Sequence, residues 1–314
     1  MKNLLIYIPT YNRYELLVKQ LSGLLGAIEQ YNIQNVRVVV SDNASMDGRY
    51  LKLKDLFPHD VLEVRRNEVN IGLVGNLIRG FEQPDWDYIW LLSDDDEVKY
   101  DALAGLAEEI SLGEHDFYYL KSNVKGDACV SAGDVIVDQH DYFSRFSAFS
   151  MMGLISINIY SARTKKYLES MYLYGYTLFP FLGAVFKLTG AEKFSLKVIG
   201  GEIVRWQPNK ISYAHIFDMA LSNVLFLAEL IPDKKNRRVF LWKYMRDFGA
   251  THYFPIAIRS VFNFRKALAQ VGMIRLLYSG ILYTAVMLYR GMVLLFPATG
   301  GWLKQYRKSR VAKT

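Results

Sequence analysis

Tyr88-Ile89-Trp90-Leu91-Leu92 runs without a break into Ser93-Asp94-Asp95-Asp96-Glu97. Five apolar residues in a row suit a strand covered on both faces. Three adjacent carboxylates repel one another and are costly to take out of water, so their place at a strand end calls for a cation or hydrogen-bond donors opposite them. The same alternation repeats upstream. Residues 4–8, 36–40 and 61–64 are short apolar runs. Between them, residues 14–31 carry Leu16, Leu17, Leu21, Leu24, Leu25 and Ile28 at helical spacing, and residues 72–81 form a second helical stretch. This rhythm predicts an α/β fold with a mostly parallel central sheet flanked by helices. Beyond residue 100 the pattern predicts a helix over 100–110, a strand over 117–120, a loop-rich stretch over 123–141, a strand over 153–160 and a helix around 183–188.

In an open α/β sheet, ligands bind beyond the carboxyl ends of the strands. Each apolar run here is followed by a polar cluster: Thr10-Tyr11-Asn12-Arg13, Ser41-Asp42-Asn43, Arg65-Arg66-Asn67 and Ser93-Asp94-Asp95-Asp96. The four are expected on one rim. Asp94, Asp95 and Asp96 offer the hard oxygen ligands that Mg²⁺ or Mn²⁺ takes, together with phosphate oxygens of a substrate. Their alternative is a solvated loop that caps the helix near residue 100. Asp42 can accept hydrogen bonds from a base or ribose, whereas Asn43 to Asp47 read as turn formers. Pro9-Thr10-Tyr11-Asn12-Arg13 leads into a helix N-terminus able to face a diphosphate, with Tyr11 available to stack on a base and Thr10 or Asn12 available as a plain cap. In Asn70-Ile71-Gly72-Leu73-Val74-Gly75-Asn76 the glycines allow a close approach of backbone to ligand, or simply open a helix.

Composition sets further bounds. A chain of 314 residues with 51% hydrophobic content fills a sizeable core and is not a disordered polymer. The single cysteine, Cys129, excludes an internal disulfide and suggests a reducing compartment. The start MKNLLIYIPTYNR is too short in apolar residues for a signal peptide and reads as part of the fold. The net charge of +7 is unevenly spread: residues 248–314 hold ten Lys or Arg and no Asp or Glu, leaving 28 basic against 31 acidic residues in 1–247, a net of −3. Within that basic end, the longest uncharged apolar stretch is 276–289, bounded by Arg275 and Arg290 and shorter than the ~20 residues a spanning helix needs. A helix lying in the membrane interface explains both features, and a core-packing helical subdomain is the alternative. No nucleic-acid-binding module is present, and the basic residues are mixed into apolar sequence, so nucleic acid is not expected as a partner.

PTYNR, SDNAS, NIGLVGN and LLSDDDE, in this order and at these spacings over roughly residues 1–110, resemble the motif series of glycosyltransferase family 2, which has the GT-A fold. The resemblance implies a nucleotide-sugar site. Pro9, Thr10, Tyr11 and Arg13 would line the base and Asp42 would hold its ring. Asn70, Gly72 and Asn76 would lie beside the nucleoside, and the acidic run would be a DXD-type motif for ribose and the diphosphate-bound Mn²⁺ or Mg²⁺. Where the family commonly has an acidic residue first, this chain has Ser93, so Asp94 and Asp95 compete as principal ligand, with Asp95 preferred by alignment and Asp96 third. The general base usual in the family falls in residues 171–188, which contain no Asp or Glu. Glu202 and Asp218 are the candidates carried forward, with Glu169, Glu192 and His215 behind them.

The expected organisation is a GT-A catalytic domain over 1–232, its nucleotide-sugar half over 1–110 and its acceptor half over 111–232, followed by a basic, apolar, helical, membrane-associating region over 233–314. The expected activity is inverting, metal-assisted transfer of a sugar to a lipid-linked oligosaccharide in bacterial surface-polysaccharide assembly, on the cytoplasmic face of the membrane. A sugar nucleotidyltransferase is disfavoured because PTYNRYE is not a glycine-rich basic loop. A non-catalytic scaffold that binds nucleotide-sugar is the other rival.

Overall fold

The computed structural model describes residues 1–123, 130–147, 151, 155–191, 193–205, 227–247, 280, 281 and 284. The chain divides into two compact units, Met1–Phe240 and Leu241–Thr314. The first begins with β1 (Leu4–Thr10), α1 (Tyr14–Gln30), β2 (Val36–Asp42), α2 (Leu53–Leu56), β3 (Leu62–Arg66), α3 (Gly72–Phe81) and β4 (Tyr88–Leu91). It continues with β5 (Glu97–Val98), α4 (Leu103–Leu112), β6 (Phe117–Ser122), β7 (Val135–Ile136), α5 (Gln139–Arg145) and β8 (Asn158–Ser161). Then come α6 (Leu168–Leu173), α7 (Pro180–Leu188), β9 (Leu196–Arg205) and α8 (Lys234–Asp247), which runs past the end of the unit.

β1 is buried along its whole length, as an apolar strand with helices on both sides must be. α1 turns Leu17, Leu21, Leu24, Leu25 and Ile28 inward, the stripe that its spacing dictates. Among the described residues one sheet runs in the order β3-β2-β1-β4-β8-β6-β9-β5, with β7 also on β9. β3, β2, β1 and β4 are all parallel. Past β4 the expected mostly parallel sheet gives way to a mixed one: β8 is antiparallel to both β4 and β6, β9 is parallel to β6, and β5 and β7 are antiparallel to β9. β6 and β9 still run in the direction of β4, with α4 returning the chain before β6, and the mixed character comes from β8, inserted antiparallel between β4 and β6, and from the two-residue strands β5 and β7. β4 is therefore the seam between a parallel half and a mixed half.

The abundant aromatics build the core of the mixed half. Phe117 meets Tyr160 edge-on with centroids 5.5 Å apart, Tyr160 meets Phe81 at 5.6 Å, and Phe143 meets Phe186 at 5.4 Å. Among the described residues no helix is long and apolar enough to cross a membrane. The basic apolar stretch that raised the membrane question lies almost wholly outside the described residues.

Candidate functional site

The carboxyl ends of β1, β2 and β4 and the N-terminus of α3 bring the four motifs together. From β1, Thr10 Oγ1 donates to Asp94 Oδ2 at 2.6 Å. Asn12, with φ +54, turns the chain, its amide bonding Ser45 Oγ and its side chain accepting from the Met46 amide. This turn delivers Arg13, whose Nη1 donates to Asp94 Oδ1 at 3.0 Å and to Asp95 Oδ2 at 2.7 Å. The counter-charge required by the acidic run is thus built in, supplied from PTYNR. Tyr11 is exposed at the rim and Pro9 is buried.

The three aspartates part company. Asp94 is buried between Thr10 and Arg13, and burial pushes its carboxyl up despite those donors. Asp95 is partly open, held by Arg13 and by Ser93 Oγ at 2.5 Å. Asp96 turns toward the mixed half, where Ser156 Oγ donates to it at 2.6 Å, and burial raises its carboxyl to about 6, with Asp95 and Asp94 adding to the effect. Ser156 is fixed in turn by Trp90 Nε1 on its carbonyl and by its hydroxyl accepting from the Ser93 amide. Among the described residues no three His, Cys, Asp or Glu side chains are grouped to hold a metal ion. The donor chemistry of the acidic run fits a cation held by Asp95, with Asp94 behind it, and otherwise by phosphate oxygens.

Asp96 makes a pH prediction. The folded chain holds this proton more tightly than the unfolded chain, whose carboxyl stays near 3.8. Stability from this group is therefore greatest below the unfolded value and declines as pH rises through about 6. Asp96→Asn keeps an acceptor for Ser156 and is expected to raise the melting temperature at pH 7.5 in EDTA while making little difference at pH 3.5. Equal shifts at both pH values would show that ionised Asp96 is not the cause.

Asp42, at the end of β2, is 0% exposed. Ser45 donates to it from its amide (3.1 Å) and its hydroxyl (2.5 Å), and Arg66, at the end of β3, pairs with its other oxygen while bonding the Ser45 carbonyl at 2.7 Å. Asn43, Asn67, Asn70 and Asn76 form an amide network. Asn43 Nδ2 donates to Asn70 Oδ1 at 2.8 Å and to the Gly72 carbonyl at 3.2 Å, Asn67 donates to Asn43 and Asn76, and Asn76 is locked to Ser41 in both directions. Asn70 also accepts from the amide of Gly72, whose φ is +77. Asn70, Gly72 and Asn76 thus stand together and brace the α3 N-terminus against β2. Ser156 is the neighbour that sequence reasoning missed; Arg66 was expected on the rim and Ser45 in the turn after β2, without their bonds to Asp42. Only the position of Arg66 directly after an apolar run hinted at its place.

Glu202 sits on an irregular part of β9, where Gly201 (φ +92) and Glu202 (φ +49) interrupt the pairing with β6 between Leu120 and Ser122. Its side chain is exposed and paired with Arg205 at 2.9 Å, beside a hollow of about 350 Å³ lined also by Glu97, Val98 and Lys99. The described contacts do not join it to the aspartates. Glu169 is exposed on α6. Asp218, Glu192 and His215 lie outside the described residues.

Residues 5–160, about half of the chain, match the family model described as Glycosyl transferase family 2. The chain is similar to abequosyltransferase RfbV of Salmonella typhimurium strain LT2, with 34% identity over 100 residues, 31% of this chain and 29% of that protein. It is also similar to the GalNAc(5)-diNAcBac-PP-undecaprenol beta-1,3-glucosyltransferase of Campylobacter jejuni, with 27% identity over 115 residues, 36% of each chain. The matches thus span about a third of either curated relative. Among solved structures, S. aureus TarS 1-349 in complex with UDP superposes with a TM-score of 0.59 at 12% identity, over 90% of this chain and 88% of that one. The mannosyltransferase PcManGT from Pyrobaculum calidifontis, in complex with GDP-Man and Mn2+, gives 0.54 at 14% identity, over 96% and 83%. At these identities the two structures speak to the fold.

Proposed function

Because the chain belongs to glycosyltransferase family 2, with a GT-A-like α/β fold, we propose that it transfers a sugar from a nucleotide-diphosphate sugar to a saccharide acceptor. The observation that carries this is the Thr10–Arg13–Asp94–Asp95 cluster, a partly open carboxylate and a permanent cation at the carboxyl rim of a parallel sheet. The nucleotide lies over β1 and β2 beside the exposed ring of Tyr11. For a base to bond Asp42, Arg66 must release it, and its 36% exposed side chain has a way out to solvent. A guanidinium freed in this way is placed to meet phosphate. Arg13 supplies a counter-charge to both Asp94 and Asp95. Asp95, backed by Asp94, would hold Mn²⁺ or Mg²⁺, which when bound neutralises charge on the departing nucleoside diphosphate.

The donor's metal dependence is supported by the Mn²⁺ bound to a structural neighbour. The lipid-linked acceptor is supported by the undecaprenol-linked substrate in a relative's name. The inverting course, the bacterial surface-polysaccharide role and the inner-membrane location are proposed with it, the last resting on the basic, apolar composition of residues 248–314. So is the division into 1–232 and 233–314. For the base, Glu202 is the candidate within the described residues, and Asp218 is carried beside it from sequence.

A thermal-shift series with UDP-, GDP-, CDP- and dTDP-sugars, with and without Mn²⁺, tests the proposal. One donor at a hundredfold excess over its Kd is expected to stabilise the fold by about 2.7 kcal/mol, and only with metal. No shift with any donor would sink the proposal. A shift accompanied by neither transfer nor slow hydrolysis would favour the scaffold.

A further inference from the structure

The segment Tyr172-Leu173-Tyr174-Gly175-Tyr176-Thr177-Leu178-Phe179-Pro180 links α6 to α7 and carries no acid or base. Its middle is one tight turn, Gly175–Thr177, followed by Leu178 at φ +65. A bulky residue in that region is an outlier that its surroundings must hold in place. Here the Thr177 hydroxyl donates to the Tyr174 carbonyl at 2.6 Å and accepts from the Phe179 amide, the Leu178 amide bonds the Gly175 carbonyl, and Pro180 starts α7. The fixed turn sets the rings of Tyr174 and Tyr176 in a stack, with centroids 6.2 Å apart and planes 26° from parallel. Tyr176 is 53% exposed and Tyr172 54%.

This turn packs on α3 so closely that a Cβ on Gly175 would come within 3.0 Å of Val74 Cγ1. The first turn of α3 is tied to the loop after β2 through the bond from Asn43 to the Gly72 carbonyl, and Leu73 is exposed beside it. The turn that carries the tyrosines therefore packs against α3, whose first turn borders the donor rim.

We infer that Tyr174 and Tyr176 form a stacking platform for a sugar ring of the acceptor, an inference that rests on the glycosyltransferase reading. A pyranose offers an apolar C–H face and a polar hydroxyl edge, which a tyrosine matches with its ring and its hydroxyl. A lipid surface is the weaker occupant. Membrane-surface helices place Lys or Arg among their apolar residues, and there is none between Lys166 and Lys187. Glu82 accepts from the Tyr172 hydroxyl.

The test is saturation-transfer NMR on the full chain with methyl glycosides of glucose, galactose, mannose, N-acetylglucosamine and N-acetylgalactosamine. At least one glycoside is expected to receive saturation from tyrosine ring protons at its ring C–H positions. Tyr174→Ala and Tyr176→Ala should each weaken it by about 3- to 10-fold, and Tyr176→Phe should retain it. The platform is overturned if no glycoside binds, if both alanine variants bind like the parent, or if what they lose is binding to phosphatidylglycerol vesicles. The donor thermal shift, run on the same samples, should be unchanged by the variants, which also shows that they are folded. Its absence in the parent chain would instead strike the glycosyltransferase reading itself.

Discussion

Asp95→Asn is expected to lower turnover by about 100- to 1000-fold, the usual cost of removing one group that stabilises charge developing in the transition state. The substitution is nearly isosteric. Ser93 still has an acceptor at that position, and Arg13 keeps its bond to Asp94. The melting temperature in EDTA should therefore stay within about 2 °C of the parent, because Asp95 is partly open and loses only one end of an ion pair. Mn²⁺-dependent stabilisation by the donor should vanish with the turnover. If it survives both Asp95→Asn and Asp94→Asn, the acidic run does not hold the metal.

Arg66→Met is expected to cost about 3 kcal/mol, the lower end of what breaking a buried ion pair costs, since Asp42 is fully buried and the arginine is not. For a unit of 240 residues that corresponds to a fall of about 6–12 °C in melting temperature. The double variant Asp42→Asn/Arg66→Met should recover much of the loss, because the penalty comes from the carboxylate left alone and an amide has no charge to strand. Additive losses would mean that Arg66 acts through the Ser45 carbonyl and not through Asp42. A single-variant loss under about 0.5 kcal/mol would class the pair with ordinary surface pairs.

The parallel half was legible in the sequence because local pattern and tertiary role agree there. Residues 72–81 were read as the helix that the structure shows, and residues 4–8 and 36–40 as strands that the structure extends to Thr10 and Asp42. β9 was not legible. Its residues LKVIGGEIVR break in the middle at two glycines, and its pairing with β6 depends on residues nearly eighty positions away. β5 and β7 have two residues each, too few for any period to show. In the site, the need for a counter-charge followed from three adjacent aspartates, but not its source, since Arg13 lies eighty-one positions upstream of Asp94. The separate environments of Asp94, Asp95 and Asp96 were equally hidden. The three lie in the turn after β4, and only the fold shows that the first two carboxylates meet Arg13 and the third meets Ser156.

β4 touches β1 along one edge and β8 along the other. Changes beyond β8 can thus accumulate without disturbing the hydrogen bonds that register β4 against β1, and so without moving Asp94 and Asp95 relative to Thr10 and Arg13. The matched residues 5–160 take in this frame together with β5, β6, β7 and most of β8. The position of Asp94 and Asp95 is thus a property of one strand pair, insulated by β8 from whatever the chain places on the far side of the sheet.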